Sequence, residues 1–359
     1  MKKILIIIGS LNTGGTEKHL YNLIANGLNK HFKFHIITIT ETGDLYKRFL
    51  SLGVKVYNIG DSQIRIFKIF YKIYMIHKFF LKVNPDIVHY YLPHSYLLGG
   101  FLSIFYRKKK FIMSRRSLNF YQKKYFLAKQ IEYFFHFFMD KIIVNSKKII
   151  NQLVNDEGVE NKKIKLIYNG ILLEKKRKIK VCNTLNLVCL ANFLKYKNHE
   201  MLFRACALLN RSIDWKLNLY GKSDIKRLKK LKQICKELKI IDKVNFNKST
   251  SNVGNILSKS YLGLLVSTEE GFSNSILEYL NFGLPVVATR VGGNDEIIKN
   301  DYNGYLVEVN DDVNLAKKIE YLLQNKKEYY RISKNSLISI RKYEINNAVK
   351  DYQKIYEEL

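Results

Sequence analysis

Proline, cysteine and long apolar runs are all scarce in this sequence. Three prolines in 359 residues argue against long disordered linkers, which are usually rich in proline. The cysteines show neither metal-ligand spacing nor a paired framework, so a reducing cytosol is the simpler environment; they are Cys182, Cys189, Cys206 and Cys235. No run reaches the roughly 18 apolar residues of a membrane-spanning helix. These absences favour a cytoplasmic protein without a transmembrane helix.

Acidic residues are also few, and they are unevenly placed. The chain has 61 Lys and Arg against 31 Asp and Glu, a formal net charge of +30. Between Ser62 and Gln130 there are fourteen Lys or Arg residues and a single acid, Asp86. Positive charge at this density implies an anionic surface partner, either phospholipid, nucleic acid or an acidic polymer.

The length and the strand pattern predict two α/β domains. A chain of 359 residues can form two domains that each bury a core. Short apolar strands alternate with helices from Ile4–Ile8 onward, and the pattern restarts at Leu185–Leu190 after a charged segment at 174–180, where we place the linker. We expect an N-terminal domain at 1–173, a C-terminal domain at 181–340, and a helix at 341–359 that crosses back to the N-terminal domain.

The most informative stretch of the sequence predicts four elements in succession. They are a strand, a glycine turn, a helix that starts near Ser273, and a second strand. Backbone N–H groups at the helix start would bind a phosphate. Glu270 precedes the helix and Glu278 lies inside it, and carboxylates accept hydrogen bonds from vicinal hydroxyls. The pattern therefore indicates a ligand with phosphate in the middle and a polyol at each end, such as a nucleotide sugar. The alternative is a capping box formed by Ser275 and Glu278, with Glu270 simply solvated.

Two stretches, 64–83 and 120–139, combine aromatic residues with lysines. Basic amphipathic helices of this kind can lie on an anionic membrane. They can equally pack on a sheet and leave a lysine edge in solvent.

Three residues near strand ends of the first half are candidates for contact with an acceptor. Arg115 and Arg116 could hold an anionic acceptor or be solvated, and His94 could touch an acceptor or be structural.

The first loop, at 9–15, contains Gly14 and Gly15, which let a ligand approach the backbone closely. It lacks the G-x-G-x-x-G fingerprint, so NAD is not expected. No Asp-x-Asp stands in a loop suited to a metal, so we expect no metal site and no divalent-ion requirement.

Several motifs resemble the donor half of glycosyltransferase family 4, whose members are retaining enzymes with the GT-B fold. These motifs are Glu-Gly-Phe-Ser-Asn-Ser-Ile-Leu-Glu at 270–278, Gly-Leu-Pro-Val-Val-Ala-Thr at 283–289 and Asn-Gly-Tyr-Leu-Val at 303–307. Gly-Gly-Thr-Glu at 14–17 and Ile-Tyr-Asn-Gly at 167–170 agree, so the resemblance covers nearly the whole chain. It implies an α/β protein of GT-B type, with two Rossmann-like doubly wound domains that face each other across a cleft.

The resemblance also implies roles for residues of this chain. Glu270 would contact the donor sugar hydroxyls, and Glu278 would contact the ribose diol. Lys197 would neutralise the leaving diphosphate, so we predict Glu270 and Lys197 as catalytic residues. The other residues that we predict to bind the donor are Gly271, Phe272, Ser273, Asn274, Ser275, Lys195 and Asn192.

The chain departs from the family near Lys197. Where the family often has an arginine, five residues before this lysine, the sequence has Asn192, and where related sequences place it, three residues before, it has Leu194. Lys195 is the nearest substitute. Gly14 and Gly15 would lie beneath the sugar and the acceptor.

The function that the resemblance implies is a metal-independent, retaining hexosyltransferase. It would use a UDP- or GDP-linked sugar, no further cofactor, and a lipid-linked glycan acceptor, in bacterial cell-surface polysaccharide synthesis of the lipopolysaccharide, capsule or O-antigen type. The family favours front-side attack, and no residue resembles a nucleophile below the anomeric carbon. Together with the basic helices, this predicts a cytoplasmic protein, peripheral on the inner face of the cell membrane.

Two other functions stay open at this point. One is another GT-B enzyme, such as a nucleotide-sugar epimerase. The other is a nucleic-acid-binding protein, suggested only by the sequence pI of about 9.7. The sequence has no motif that reads nucleic acid, so we expect no nucleic-acid partner.

Overall fold

The computed structural model describes residues 1–60, 68–118, 122, 125–174, 185–250 and 252–359. They form two compact units, one of Met1–Ile171 with Glu344–Leu359 and the other of Leu172–Tyr343. The predicted linker at 174–180 lies outside the described residues except for Glu174. Cys182 also lies outside them, and the three cysteines that are described are buried and free.

The first unit contains a parallel sheet of seven strands in the order β3-β2-β1-β4-β5-β6-β7. Such sheets are covered by helices on both faces, which explains the near-continuous apolar runs of the central strands. The strands are β1 Lys3–Ser10, β2 Lys33–Glu41, β3 Lys55–Asn58, β4 Ile87–Tyr91, β5 Lys110–Arg115, β6 Lys141–Val144 and β7 Ile164–Leu166.

Helices cover both faces of this sheet. They are α1 Gly15–Leu23, α2 Asn29–His31, α3 Tyr46–Ser51, α4 Lys68–Val83, α5 Leu92–Gly99, α6 Leu102–Phe105, α7 Phe126–Phe138, α8 Lys147–Asn155 and α16 Ile345–Glu358. Side chains of α1, α3 and α16 share one buried cluster with the sheet, and side chains of α4 to α8 share the other. The predicted helices at 64–83 and 120–139 therefore correspond to α4 and α7. Residues 64–67, 120, 121, 123 and 124 lie outside the described residues.

Helix α16, the last in the chain, completes the first face. Tyr352 and Tyr356 are fully buried there. The Tyr356 hydroxyl lies 2.8 Å from Nδ1 of His89, which is a buried residue of β4. A bridge between Ile171 and Glu344 brings the chain back into this unit.

The second unit contains a parallel sheet of six strands in the order β10-β9-β8-β11-β12-β13. The strands are β8 Leu185–Leu190, β9 Trp215–Tyr220, β10 Val244–Asn247, β11 Leu262–Leu265, β12 Val286–Thr289 and β13 Gly304–Val307. The helices are α9 His199–Ala207, α10 Ile225–Glu237, α11 Val253–Leu257, α12 Asn274–Asn281, α13 Asn294–Ile297, α14 Asp312–Gln324 and α15 Lys326–Ser339. The prediction of two Rossmann-like doubly wound domains is confirmed.

A buried ion pair ties α7 to the sheet of the first unit. Arg115, at the end of β5, is fully buried, and its Nη1 lies 2.6 Å from Oε2 of Glu157. His136 of α7 lies 2.9 Å from the same oxygen, and Glu132 of α7 lies 3.9 Å from Arg115. Arg115 is therefore paired with carboxylates of its own unit rather than solvated, and its contact with an anionic acceptor stays a prediction.

This ion pair predicts a loss of stability in acid. Burial raises the pKa of Glu157, but hydrogen bonds from His136 and Arg115 outweigh it and hold the pKa below its ordinary value. The stabilisation is therefore present above the ordinary carboxyl pKa and is lost as the pH falls through the lowered one. We expect Glu157→Gln to lower the free energy of unfolding at pH 7 by about 3 kcal/mol, because the buried Arg115 loses its close carboxylate partner and keeps only the more distant Glu132.

Denaturant unfolding at a series of pH values tests this prediction. The difference between the wild type and Glu157→Gln should shrink as the pH falls below about 4. Glu160→Gln removes an exposed carboxylate whose pKa is lowered by Lys162 on the surface, and it should change the unfolding midpoint little. A pH-independent difference for Glu157→Gln would contradict this account.

Candidate functional site

Two residues assigned to separate roles by the sequence are in direct contact in the second unit. Glu270 lies in the turn between β11 and α12, and Lys197 lies in the short turn before α9. Lys197 Nζ is 2.6 Å from Oε1 of Glu270, and both side chains are largely buried. Ser267 donates its hydroxyl to the same oxygen at 2.7 Å. The carboxylate is therefore fixed from two sides.

The contact also fixes the charge of Lys197. Burial alone would lower the pKa of this ammonium group, but the adjacent Glu270 carboxylate outweighs it and raises the pKa above its ordinary value. Lys197 is consequently a cation throughout the neutral range, which is the state needed to stabilise an anionic leaving group.

The turn that contains Lys197 is held against the end of β11. The amide of Thr268 donates to the carbonyl of Tyr196 at 2.7 Å. Asn198 follows in the left-handed conformation, with φ of +51°, and its side-chain amide donates to Asn310 at 3.2 Å. Next to it, burial lowers the pKa of His199 to about 4, so this ring is neutral at physiological pH. The backbone around Lys197 is thus set by several independent contacts.

A glycine turn supports the backbone of Glu270 from the other side. Gly292 has φ of +54°, and a Cβ added there would lie 1.8 Å from the carbonyl oxygen of Glu270. The next amide, of Gly293, donates to the carbonyl of Gly271 at 2.8 Å. Gly292 therefore lets the two turns approach more closely than any other residue would allow.

Helix α12 begins where the sequence predicts. Ser273 is its N-cap, and its hydroxyl accepts a hydrogen bond from the amide of Ile276 at 3.4 Å. Ser275 donates its own hydroxyl to the carbonyl of Leu190 at 2.6 Å. The alternative capping box of Ser275 and Glu278 is therefore wrong, because Ser273 is the cap. Glu278 lies one turn into the helix and is half-buried.

Asn192, at the position where the family often has an arginine, and Lys195, the nearest substitute, differ in their contacts. Asn192 is exposed, and its side-chain oxygen accepts from the amide of Lys222 at 2.8 Å, which closes the loop after β8. Lys195 is exposed in the same turn as Lys197. Glu270 contacts Lys197 rather than either of them.

Comparison with known proteins identifies the family. A model described as Glycosyltransferase Family 4 matches residues 13–175, and a model described as Glycosyl transferases group 1 matches residues 173–337. The chain belongs to glycosyltransferase family 4. The two matches together cover residues 13–337.

Two curated relatives and one solved structure agree with this assignment. N-acetyl-α-D-glucosaminyl L-malate synthase of Bacillus anthracis is 29% identical, over 60% of this chain and 59% of that protein. The GalNAc-α-(1→4)-GalNAc-α-(1→3)-diNAcBac-PP-undecaprenol α-1,4-N-acetyl-D-galactosaminyltransferase of Campylobacter jejuni is 25% identical, over 100% of this chain and 99% of that protein. HepE of Anabaena, solved in complex with UDP and glucose, has a TM-score of 0.88 at 17% identity, with all of both chains covered. The glycosyltransferase therefore has the GT-B fold.

Four further residues predicted to lie near the donor or the acceptor, Gly14, Gly15, His94 and Arg116, belong to the first unit of the glycosyltransferase. Gly14 is the N-cap of α1, and a Cβ there would lie 2.3 Å from a carboxylate oxygen of Glu17; Gly15 is the first residue of that helix. His94 is exposed on α5, and partial desolvation of its ring, followed by the charge of Lys72, lowers its pKa. Arg116 is nearly buried and donates to Asn169.

Sequence reasoning missed two supports of the site in this glycosyltransferase. Ser267, which donates to Glu270, lies just past the carboxyl end of β11, where ligand-binding residues of parallel sheets are found. This position, just after a strand, is the sequence feature that could have identified Ser267 as part of the site. Gly292 is followed by a second glycine, a pattern typical of a turn, but nothing in the sequence indicates that it packs against Glu270.

The part of the glycosyltransferase that the structure describes contains neither a candidate metal-binding cluster nor a helix able to span a membrane. Its His, Cys, Asp and Glu residues form no group of three or more that could hold a metal ion. None of its helices combines the length and the apolar character required to cross a bilayer.

Proposed function

We propose that this glycosyltransferase moves a hexose-type sugar, with retention of configuration, from a UDP- or GDP-linked donor to a lipid-linked glycan. The observation that carries the proposal is the contact between Lys197 and Glu270 beside the start of α12. It combines a fixed cation with a fixed carboxylate next to a helix N-terminus, which attracts phosphate. The Campylobacter jejuni relative, whose name specifies an undecaprenol-linked substrate, supports the lipid-linked acceptor.

Each residue has one task in this scheme. Lys197 and the N-terminus of α12 stabilise the negative charge that develops on the diphosphate as the bond to the anomeric carbon breaks. Glu270 accepts hydrogen bonds from the sugar hydroxyls, and Glu278 accepts them from the ribose diol. The acceptor hydroxyl forms the new bond on the same face of the sugar, and its proton passes to the leaving phosphate oxygen.

We further propose that the reaction needs neither a divalent ion nor a cofactor beyond the nucleotide sugar. Lys197 and the helix dipole supply positive charge where other transferases use a metal. The product would be a cell-surface polysaccharide or lipopolysaccharide intermediate.

Calorimetric binding without added metal tests the donor site. One of the UDP- or GDP-sugars should bind the wild type, and Glu278→Ala should weaken that binding by about 10- to 100-fold. The reason is that a hydrogen bond to a charged group contributes roughly 1.5–3 kcal/mol. Glu237→Ala, at the end of α10 in the same unit, is the matched control and should bind like the wild type. Equal affinity of Glu278→Ala and the wild type would exclude the proposed role.

Product analysis with labelled donor distinguishes transfer from other GT-B reactions. In the presence of EDTA, the label should still move to an undecaprenyl-diphosphate-linked glycan. The new bond should have the anomeric configuration of the donor. Inverted product, or epimerised donor without any acceptor, would contradict the proposal.

A further inference from the structure

Helix α4 has two apolar sides, and the fold explains only one of them. Ile76 and Phe80 are buried against the sheet. On the other side, Phe70, Tyr74 and Leu81 recur at the spacing of one helix face. They are largely exposed, Phe70 to 69%. A helix that packs only on its own sheet should present polar residues there.

Helix α7 repeats this arrangement. Leu127, Ile131 and Phe134 follow the same spacing and are exposed, Leu127 to 76%, and the neighbouring Phe137 is exposed to 72%. The opposite side of α7 holds Phe135 and the residues that bind Glu157 and Arg115. The outward apolar residues of α7 thus have no role in the core.

The two helices belong to one surface. Both lie on the same side of the seven-stranded sheet, and the segment that follows α6 joins them. Tyr106 places its hydroxyl 2.5 Å from Nε2 of His77 on α4. The guanidinium of Arg107 lies 4.8 Å from the ring centre of Phe138 on α7, and Phe105 beside it is exposed. We call the surface formed by α4, residues 105–109 and α7 the basic apolar face.

Every exposed charge on these three segments is positive. The basic residues are Lys68, Lys72, Lys78, Lys82, Arg107, Lys108, Lys109 and Lys129. Helix α4 contains no acid, and the one carboxylate of α7, Glu132, is buried beside Arg115. Asp86 and Asp140 lie outside the three segments and accept hydrogen bonds from the backbone amides of Lys3 and Phe111.

A second basic helix shows that lysine content alone does not produce such a face. Helix α10 carries Lys229, Lys230, Lys232 and Lys236, and its one large exposed apolar residue is Ile225 at the start. The combination of exposed apolar residues with basic residues is therefore a property of α4, α7 and the segment 105–109 between them.

We propose that the basic apolar face docks on the surface of an anionic phospholipid bilayer. Aromatic and aliphatic side chains would enter the head-group boundary while lysines bind the lipid phosphates. Helix α4 has 16 residues, about 24 Å, which is shorter than the hydrocarbon core of a bilayer; the helices therefore lie along the surface. A second copy of the chain is disfavoured as the occupant, because a two-fold contact would oppose like charges.

Vesicle flotation of the full-length protein, without donor, tests this proposal independently of the sugar-transfer reaction. We expect binding to vesicles that contain phosphatidylglycerol and little binding to pure phosphatidylcholine. Each lysine near an anionic surface changes affinity about fivefold, so K72A/K78A/K82A should weaken binding by roughly 100-fold. F70S/F134S/F137S should remove the part of the binding that persists at high salt.

The matched control removes the same charge from the second unit. K229A/K232A/K236A on α10 should bind vesicles nearly as well as the wild type. Unchanged thermal midpoints would show that all three variants are folded.

Three results would overturn the proposal. The first is equal loss of vesicle binding in the α4 and α10 variants. The second is a dimer in vesicle-free solution that F70S/F134S/F137S dissociates. The third is salt-sensitive binding to nucleic acid that is tighter than binding to the anionic vesicles.

Discussion

Lys197→Ala is expected to lower kcat of sugar transfer by about 100- to 1000-fold, because in the proposed mechanism it removes the preorganised positive charge that stabilises the leaving diphosphate. The effect should exceed that of losing a simple binding contact. Glu270 would also lose the contact that fixes its carboxylate on one side. The main change should therefore fall on kcat rather than on KM.

A double-mutant cycle tests whether Lys197 and Glu270 act as a unit. If they do, Lys197→Ala combined with Glu270→Ala should cost much less than the product of the two single effects. Glu269→Gln, which changes the adjacent carboxylate, is the control and should keep activity near that of the wild type. Multiplicative effects of the two substitutions would show that the contact has no part in catalysis.

Gly292→Ala is expected to disrupt the site through the backbone of Glu270, although Gly292 itself has no proposed contact with the donor. The new Cβ would meet the carbonyl oxygen of Glu270 at 1.8 Å, and φ is +54°. The left-handed conformation alone costs roughly 1–2 kcal/mol, and the clash forces the turn that carries Glu270 to move. We expect a loss of about 2–4 kcal/mol in the free energy of unfolding of the second unit.

For Gly292→Ala, the loss of kcat/KM should be larger than the loss of folding stability alone would produce. A displacement of about 1 Å at a catalytic group can reduce the rate about 100-fold. Gly53→Ala is the matched control, since Gly53 has φ of +76° but nothing within 4 Å of the added Cβ. Its backbone strain should appear in thermal unfolding while kcat/KM stays unchanged. Similar behaviour of the two variants would contradict the proposed packing of Gly292 against Glu270.

The local structure of the donor half could be predicted from the sequence because its signals are local. An apolar run, a glycine turn and a serine N-cap predict a strand, a turn and a helix within about twenty residues, and α12 begins as predicted. The contact between Lys197 and Glu270 could not be predicted in the same way. It depends on β8 and β11 being neighbours in the sheet, and the two residues are 73 positions apart.

Arg115 shows the opposite failure, in which a charged residue is buried. An arginine at the carboxyl end of a strand suggests an anion site. The sequence does not indicate that Glu132 and Glu157, which come later in the chain, lie beside Arg115 in the folded unit. For the basic aromatic helices, the sequence allowed core packing or membrane contact as alternatives. The structure supports packing for one side of each helix and leaves the other side exposed.

The return of the chain into the first unit has a consequence for synthesis on the ribosome. Helix α16 covers one face of the seven-stranded sheet with Tyr352 and Tyr356, yet Leu172–Tyr343 must be translated first. Translation proceeds at about 5–20 residues per second. The residues that pack against α16, among them Ile4, Leu20 and Phe34, are therefore synthesised on the order of ten to thirty seconds before α16 is. During that interval the nascent first unit exposes an apolar face that trigger-type chaperones bind, so its yield should depend on them more than that of the second unit, whose elements are contiguous in the chain.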